Sequence, residues 1–252
     1  MANPAKRSLK ACVFDLGNTL INDSLLSRNA TEEMARWLRE RAFICSEEAF
    51  LTTFRRINYG TRKPFISHTF GEAEFFLETF EELGVKGISA EEALKTYRDL
   101  LTARMEPDIA VAETFGFLKN RGIRIALLSN ERAVRVNSYL EKTKLGPFFD
   151  AIVVSESIGV EKPDQRIFQE VLTRLDIRGD EAAMFGDNQI ADGASKEQGF
   201  LFVLVTAYLN RQWVWEEGLP YRPDHVMEKI TPDEMAEFLS RVPRMGEGDK
   251  TP

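Results

Sequence analysis

The chain has 252 residues, of which 43% are hydrophobic and 29% charged, so it can bury one large core or a core with a smaller appended domain. Its 33 Lys and Arg against 40 Asp and Glu give a net charge of -7, which removes any general electrostatic reason to bind nucleic acid or an anionic membrane. No apolar window approaches the length of a membrane span, and the charged N-terminus lacks the apolar stretch of a signal sequence. We therefore expect a cytoplasmic protein.

The two cysteines give no sign of a metal site or a disulfide framework. Cys12 lies inside an apolar run, Cys45 lies between two segments, and neither has the clustered spacing that such sites need. We predict that both are buried thiols in a reducing compartment.

The first predicted element is a buried strand, the short apolar run from Lys10 to Asp15. It ends at Leu-Gly-Asn-Thr, where glycine and asparagine provide the backbone freedom of a turn. Asp15 is therefore expected at the point where the strand gives way to a loop.

Four amphipathic helices are predicted next, between about Ser24 and Met105. Apolar residues recur three and four positions apart in TEEMARWLRERAF, SEEAFLTTFRRI, GEAEFFLETFEELG and SAEEALKTYRDLLTARM. Ser46 and Ser89 stand ahead of acidic residues as N-cap candidates. The aromatic residues that fall on the apolar periodicity indicate packing inside a bundle and not a cofactor site: Trp37, Phe50, Phe54, Phe75 and Phe76.

After Pro107 the pattern alternates between helices and apolar strands, with strands at IRIALLSN, FFDAIVVSES, AAMFGDN and FLFVLVTA. Uniformly apolar strands separated by helices predict an α/β fold whose parallel sheet is covered on both faces. We therefore predict an α/β core from residues 1–22 and 106–242, an α-helical insertion at 23–105 and a disordered tail at 243–252.

Polar side chains follow several of these strands, and the carboxyl ends of parallel strands are where ligands gather. Carboxylates from separate strands repel one another unless a cation or a proton lies between them, and oxygen ligands of this kind favour Mg²⁺. With a hydroxyl and an ammonium beside the metal, such a site could hold a tetrahedral oxyanion while a carboxylate attacks phosphorus. The candidate residues are Asp15, Ser129, Asn130, Lys162, Asp187 and Asp192.

Four segments resemble the motifs of the haloacid dehalogenase (HAD) superfamily, in that family's order: FDLGNTL, LLSN, GVEKPDQRIF and GDNQIAD. The resemblance implies a HAD-like Rossmannoid parallel-sheet core, and an insertion similar to the family's α-helical C1 cap, which opens and closes over the site. It also implies a role for each matching position. Asp15 would be nucleophile and metal ligand, Ser129 and Asn130 would bind phosphate, Lys162 would pair with both phosphate and nucleophile, and Gly17 (through its carbonyl), Asp187 and Asp192 would be metal ligands.

One position departs from the family's pattern. Phosphatases of this family usually carry Asp two residues after the nucleophile, where it protonates the leaving alcohol and activates water, but this chain has Gly17. The four matching motifs together still imply a Mg²⁺-dependent phosphatase that hydrolyses a small phosphorylated metabolite through an aspartyl phosphate. Because of Gly17, one alternative is a catalytically weak or inactive HAD-fold binding or regulatory protein. The least favoured alternative is a 2-haloacid dehalogenase. Substrate identity and oligomeric state are left open by the sequence.

Several candidate residues also have a purely structural interpretation. Ser129 and Asn130 could cap the helix that follows them, and Asp192 could be an ordinary loop carboxylate. The basic residues near the middle of the insertion are interpreted as a solvated surface in preference to a substrate-facing lid: Arg55, Arg56, Arg62, Lys63 and His68.

Overall fold

The computed structural model describes residues 9–60, 72–209 and 221–242. The chain divides into two compact units. One combines Met1–Asn22 with Pro107–Pro252, and the other is Asp23–Glu106. The predicted tail at 243–252 lies outside the described residues, as do Arg62, Lys63 and His68.

The first unit is built on a six-stranded sheet in which every neighbouring pair of strands is parallel. Its strands are β1 (Ala11–Phe14), β2 (Arg124–Ser129), β3 (Ala151–Val154), β4 (Ala182–Gly186), β5 (Leu201–Val205) and β6 (His225–Met227). They lie in the order β3-β2-β1-β4-β5-β6, so the first strand of the chain is a central one. This central position explains why all four residues of β1 are apolar and fully buried.

Helices cover the sheet: α5 (Ile109–Lys119), α6 (Ala133–Thr143), α7 (Ser155–Ile158), α8 (Gln165–Leu175) and α9 (Pro232–Arg241). The apolar stripe of α8 packs with Val13 and Met184 of the sheet in one hydrophobic cluster. Phe14 contacts Phe115 of α5 and stacks on Phe185 of β4, with ring centroids 5.1 and 4.8 Å apart. These contacts pack α8 and α5 against the central strands of the sheet.

The second unit contains four helices within its described residues: α1 (Asp23–Glu40), α2 (Glu47–Gly60), α3 (Glu72–Leu83) and α4 (Ala90–Ala103). Both predicted caps are confirmed, because Ser46 accepts a bond from the Ala49 N–H and Ser89 forms a capping box with Glu92. The predicted aromatic packing is also confirmed. Phe50, Phe54 and Phe76 are buried in the core of this unit, and Trp37 and Phe75 pack against it.

The predicted fold class, an α/β protein with a parallel sheet and a helical insertion, is confirmed. Three details of the prediction are wrong. The segment Ser155–Ile158 is a short helix and not the end of a strand, β6 and α9 were not predicted, and Cys45 is exposed whereas Cys12 is buried. Cys45 lies in the turn before α2, where its neighbour Ile44 supplies the buried side chain. Within the described ranges, no helix combines the length and apolar character that crossing a membrane requires.

Candidate active site

The candidate site lies at the carboxyl edge of the sheet, where β1, β2 and β4 end. Phe14 is in register with Leu127 of β2 and Phe185 of β4, and the Asp15 N–H extends this pairing by donating to the Phe185 carbonyl at 2.9 Å. Asp15 and Asp187 therefore leave the sheet from adjacent strands, and Ser129 ends the strand on the other side. The parallel sheet brings Ser129 and Asp187 close to Asp15 although each is more than 100 positions from it in sequence.

The ammonium of Lys162 is the centre of the site. Its Nζ donates to Asp15 Oδ1 at 2.6 Å, to Asp192 Oδ1 at 2.6 Å and to the Leu128 carbonyl at 3.1 Å. The residue is only 2% exposed. Burial alone would lower the pKa of Lys162, but the charges of Asp15 and Asp192 outweigh it and raise the pKa above its usual value. The lysine therefore stays charged and fixes two carboxylates at once.

Three carboxylates converge around this lysine. Asp15, Asp187 and Asp192 each offer an oxygen within 4.8 Å of the others. Burial raises the pKa of Asp187 well above its usual range, and the charges of Asp15 and Asp192 add to the effect. Burial likewise raises the pKa of Asp192 to about 6, although the charge of Lys162 opposes it. One ammonium does not compensate three carboxylates, and an all-oxygen donor set with this excess of negative charge fits a hard divalent cation such as Mg²⁺.

Asp192 is held more tightly than a loop carboxylate. Its Oδ2 accepts from the Asn188 N–H at 3.0 Å, and the Asn188 Oδ1 in turn accepts from the N–H groups of Ile190 and Ala191. The Asp192 side chain also lies over Gly186, where an added Cβ would come within 2.1 Å of Oδ2. The roles of Gly186 and Asn188 were missed in the sequence, although both belong to the GDNQIAD segment.

Ser129 and Asn130 do not cap the following helix, so that alternative is wrong. Helix α6 begins only at Ala133, its N-cap residue Arg132 forms no side-chain cap bond, and Glu156 accepts the Ala133 N–H at 2.8 Å. Ser129 is 1% exposed, and its Oγ has no hydrogen-bond partner anywhere in the described ranges. A buried hydroxyl of this kind is costly unless a ligand completes it.

The remaining predictions concern Gly17 and the basic residues of the insertion. Gly17 is in the turn after β1, where it forms an isolated bridge with Ile21. In the helical unit, Arg55 pairs with Glu32 at 3.4 Å and Arg56 pairs with Glu82. These pairs are exposed, as expected for a solvated charged surface.

The fold and the site together define an α/β enzyme type in which an aspartate at the end of the first strand faces a lysine and a cluster of carboxylates. The chain belongs to the haloacid dehalogenase-like hydrolase family, whose model matches residues 9–194. A glyceraldehyde 3-phosphate phosphatase from Methanothermobacter thermautotrophicus is 26% identical over 223 residues, covering 84% of this chain and 93% of that protein.

Two further similar proteins are a dehalogenase and a phosphatase. (S)-2-haloacid dehalogenase 4A from Burkholderia cepacia is 28% identical over 206 residues, covering 81% of this chain and 84% of that protein. The crystal structure of a HAD phosphatase from Thermococcus onnurineus superposes with a TM-score of 0.63 at 20% identity, covering 94% of this chain and all of that one. At this identity the structural likeness shows the fold.

Proposed function

We propose that the protein is a Mg²⁺-dependent phosphatase that hydrolyses a small phosphorylated metabolite through an aspartyl phosphate on Asp15. The observation that carries the proposal is the buried cluster in which Lys162 binds Asp15 while Asp187 and Asp192 add two further carboxylates. A metal-independent dehalogenase has no need for this excess of negative charge, whereas a metal-assisted phosphatase uses it to hold its cation. The phosphatase relative supports the same choice.

In the proposed reaction, Lys162 holds Asp15 Oδ1, so the other carboxylate oxygen of Asp15 is the one assigned to attack phosphorus. The bond from Asp15 to phosphorus forms as the bond to the leaving alkoxide breaks. The Ser129 hydroxyl is assigned to a phosphoryl oxygen, and the Lys162 ammonium, whose three N–H groups bind Asp15, Asp192 and the Leu128 carbonyl, contributes its positive charge beside the phosphate. Asp15, Asp187, Asp192 and the Gly17 carbonyl would hold Mg²⁺, which supplies further neutralisation of phosphate charge. Water then hydrolyses the acyl phosphate and releases inorganic phosphate, which restores the Asp15 carboxylate.

Gly17 limits this reaction, because glycine has no group that can protonate the leaving alkoxide. General acid and base assistance typically contributes about 100-fold to 10,000-fold in rate. We therefore propose an enzyme that is slow on ordinary alkyl phosphates and favours leaving groups of low pKa. We further propose that the helical unit acts as the family's cap and contributes to substrate choice. The cytoplasmic location stays a prediction.

A phosphate-ester panel tests this proposal. The parent is assayed with Mg²⁺ and with a chelator, on esters whose leaving-group pKa ranges from p-nitrophenol to simple alcohols, beside Asp15→Asn. An exposed aspartate of the helical unit, changed in Asp99→Asn, is the matched control. We expect Mg²⁺-dependent turnover that is lost in Asp15→Asn and kept in the control. A parent without turnover on the whole panel would contradict the proposal.

Two added arms separate the alternatives. Release of chloride from 2-chloropropionate in the presence of chelator would favour the dehalogenase alternative. This alternative is tested because the chain is similar to a dehalogenase from Burkholderia cepacia. Gly17→Asp addresses the weak or inactive alternative. A large gain of rate in that variant would show that the rest of the site is competent and that only the acid and base group is missing.

A further inference from the structure

Asn130 makes a contact that neither the family roles nor the sequence predicted. Its side chain forms two hydrogen bonds to the backbone of one residue, Lys162, which is 32 positions away. Asn130 Oδ1 accepts the Lys162 N–H at 2.7 Å, and Asn130 Nδ2 donates to the Lys162 carbonyl at 2.8 Å. Both ends of the carboxamide are therefore used on the lysine backbone.

We infer that Asn130 is a positioning residue that fixes the origin of the Lys162 side chain relative to Ser129, and that its side chain is not a phosphate ligand. The inference deepens the proposed phosphatase function and rests on it for its catalytic consequence. It replaces the predicted role of the Asn130 side chain in phosphate binding.

The physical argument starts from the flexibility of lysine. Its four-carbon stem carries about 2 kcal/mol of rotamer entropy, so an ammonium is placed reproducibly only when both of its ends are held. At the far end, three acceptors bind the Lys162 Nζ. At the near end, the loop before α8 has no strand to fix it, and the two bonds from Asn130 tie the backbone of Lys162 to the end of β2.

The arrangement also couples two groups that would face one phosphate. Ser129 and Asn130 are consecutive, so the backbone that places the Ser129 hydroxyl also places the carboxamide that holds Lys162. The hydroxyl and the ammonium come from separate elements but share this one frame. A carboxamide suits the task because it offers an acceptor and a donor side by side, which match a backbone N–H and C=O of the same residue.

The test is a near-isosteric change, Asn130→Asp. The new side chain keeps the acceptor for the Lys162 N–H but places a second oxygen against the Lys162 carbonyl, where the amide donated at 2.8 Å. We expect kcat to fall about 10- to 100-fold at neutral pH with a smaller change in KM, as is typical when a supporting partner of a site is lost. The ratio of variant to parent kcat should rise as the pH is lowered, because the protonated acid donates to that carbonyl again.

Two variants serve as controls. Asn120→Asp makes the same chemical change at an exposed position that ends α5 and should leave kcat and its pH profile unchanged. Asn130→Ala removes both bonds, so it should lower kcat without any recovery at low pH. It also keeps the question answerable if Asn130→Asp fails to fold.

A readout that does not depend on turnover is the ammonium resonance of Lys162 in protein labelled with ¹⁵N-lysine, assigned with Lys162→Arg. The resonance should shift or broaden in both Asn130 variants and stay in place in Asn120→Asp. An unchanged resonance, or a kcat loss in Asn130→Asp without recovery at low pH, would overturn the positioning role. If the parent has no phosphatase activity, the proposed function fails while the resonance still decides whether Asn130 positions Lys162.

Discussion

Gly186 is a position where one added methyl group should disturb the candidate site. It is the last residue of β4, in register with Leu204 of β5, so its backbone cannot move away from the sheet edge. A Cβ at this position would lie 2.1 Å from Asp192 Oδ2 and 2.3 Å from Asp192 Cγ. Ordinary van der Waals contact begins at 3.4 Å, so the Asp192 carboxylate would have to retreat by more than an ångström.

This retreat cannot be absorbed by a flexible side chain, because Lys162 and the Asn188 N–H hold the two Asp192 oxygens at 2.6 and 3.0 Å. Overpacking a buried site typically costs about 1–3 kcal/mol, and breaking a buried ion pair about 3–5 kcal/mol. Since Lys162 keeps its bond to Asp15, we expect Gly186→Ala to cost about 3 kcal/mol. At about 2–4 °C per kcal/mol for a protein of this size, the melting temperature should fall by about 6–12 °C.

The assay is thermal unfolding of Gly186→Ala beside Gly116→Ala, with phosphatase turnover measured on the same samples. Gly116 lies inside α5 and has open space around the position of an added Cβ. Its replacement should stabilise the helix by about 0.5–1 kcal/mol, which is the opposite sign for the same chemical change. Turnover should fall about 10- to 100-fold in Gly186→Ala alone. A Gly186→Ala protein that melts and turns over like the parent would refute the reasoning.

Three further predictions concern stability. Asp187→Asn removes a carboxyl group whose pKa is raised by burial and by two neighbouring carboxylates. In the presence of chelator, this variant should melt about 2–4 °C higher than the parent for each kcal/mol of repulsion that it relieves. In a Mg²⁺ titration followed by thermal unfolding, Mg²⁺ should stabilise the variant less than it stabilises the parent. Glu181 accepts from the Arg178 N–H and from Lys10, which lower its pKa, so its stabilisation is present at neutral pH and is lost as the pH falls through the lowered pKa. Urea unfolding should show Glu181→Gln less stable than the parent by about 1 kcal/mol at pH 7, with a difference that shrinks as the pH is lowered. Phe76→Ala should cost about 3–5 kcal/mol in the helical unit, whereas its exposed neighbour Leu77→Ala should stay within about 0.5 kcal/mol, as measured by denaturant unfolding followed by circular dichroism.

The elements that were predicted are those with a strong local pattern. Five strands could be predicted because both faces of a parallel strand are buried, so the strand is an apolar run in the sequence. The four helices of the insertion could be predicted because each has a regular apolar stripe. The strand β6 has only three residues, of which Val226 is exposed, and it exists through its pairing with β5. No local pattern records such a strand. Helix α9 did leave a signal in the sequence Thr-Pro-Asp-Glu, in which the Thr231 side chain caps the helix by accepting from the Glu234 N–H.

The same distinction applies to the candidate site. Asp15, Ser129 and Asp187 could be proposed because each follows an apolar run, and parallel strands place their ends together. The contacts of Asn130 with Lys162 and of Gly186 with Asp192 depend on how close the folded segments come to one another, which spacing in the sequence does not specify. Sequence reasoning therefore identified the groups to which the proposed reaction is assigned, but not the contacts that hold them in place.

The central place of β1 in the sheet has a consequence for synthesis on the ribosome. Both neighbours of this strand, β2 and β4, are encoded far downstream, and the second of them begins only at Ala182. At about 5–20 residues per second, roughly 10 to 30 s pass between the emergence of β1 and that of β4. The helical insertion, whose contacts are local, can fold during this interval. The nascent chain must therefore keep one of its most apolar segments shielded for many seconds, which makes β1 the segment where chaperone binding or aggregation of a stalled chain is expected.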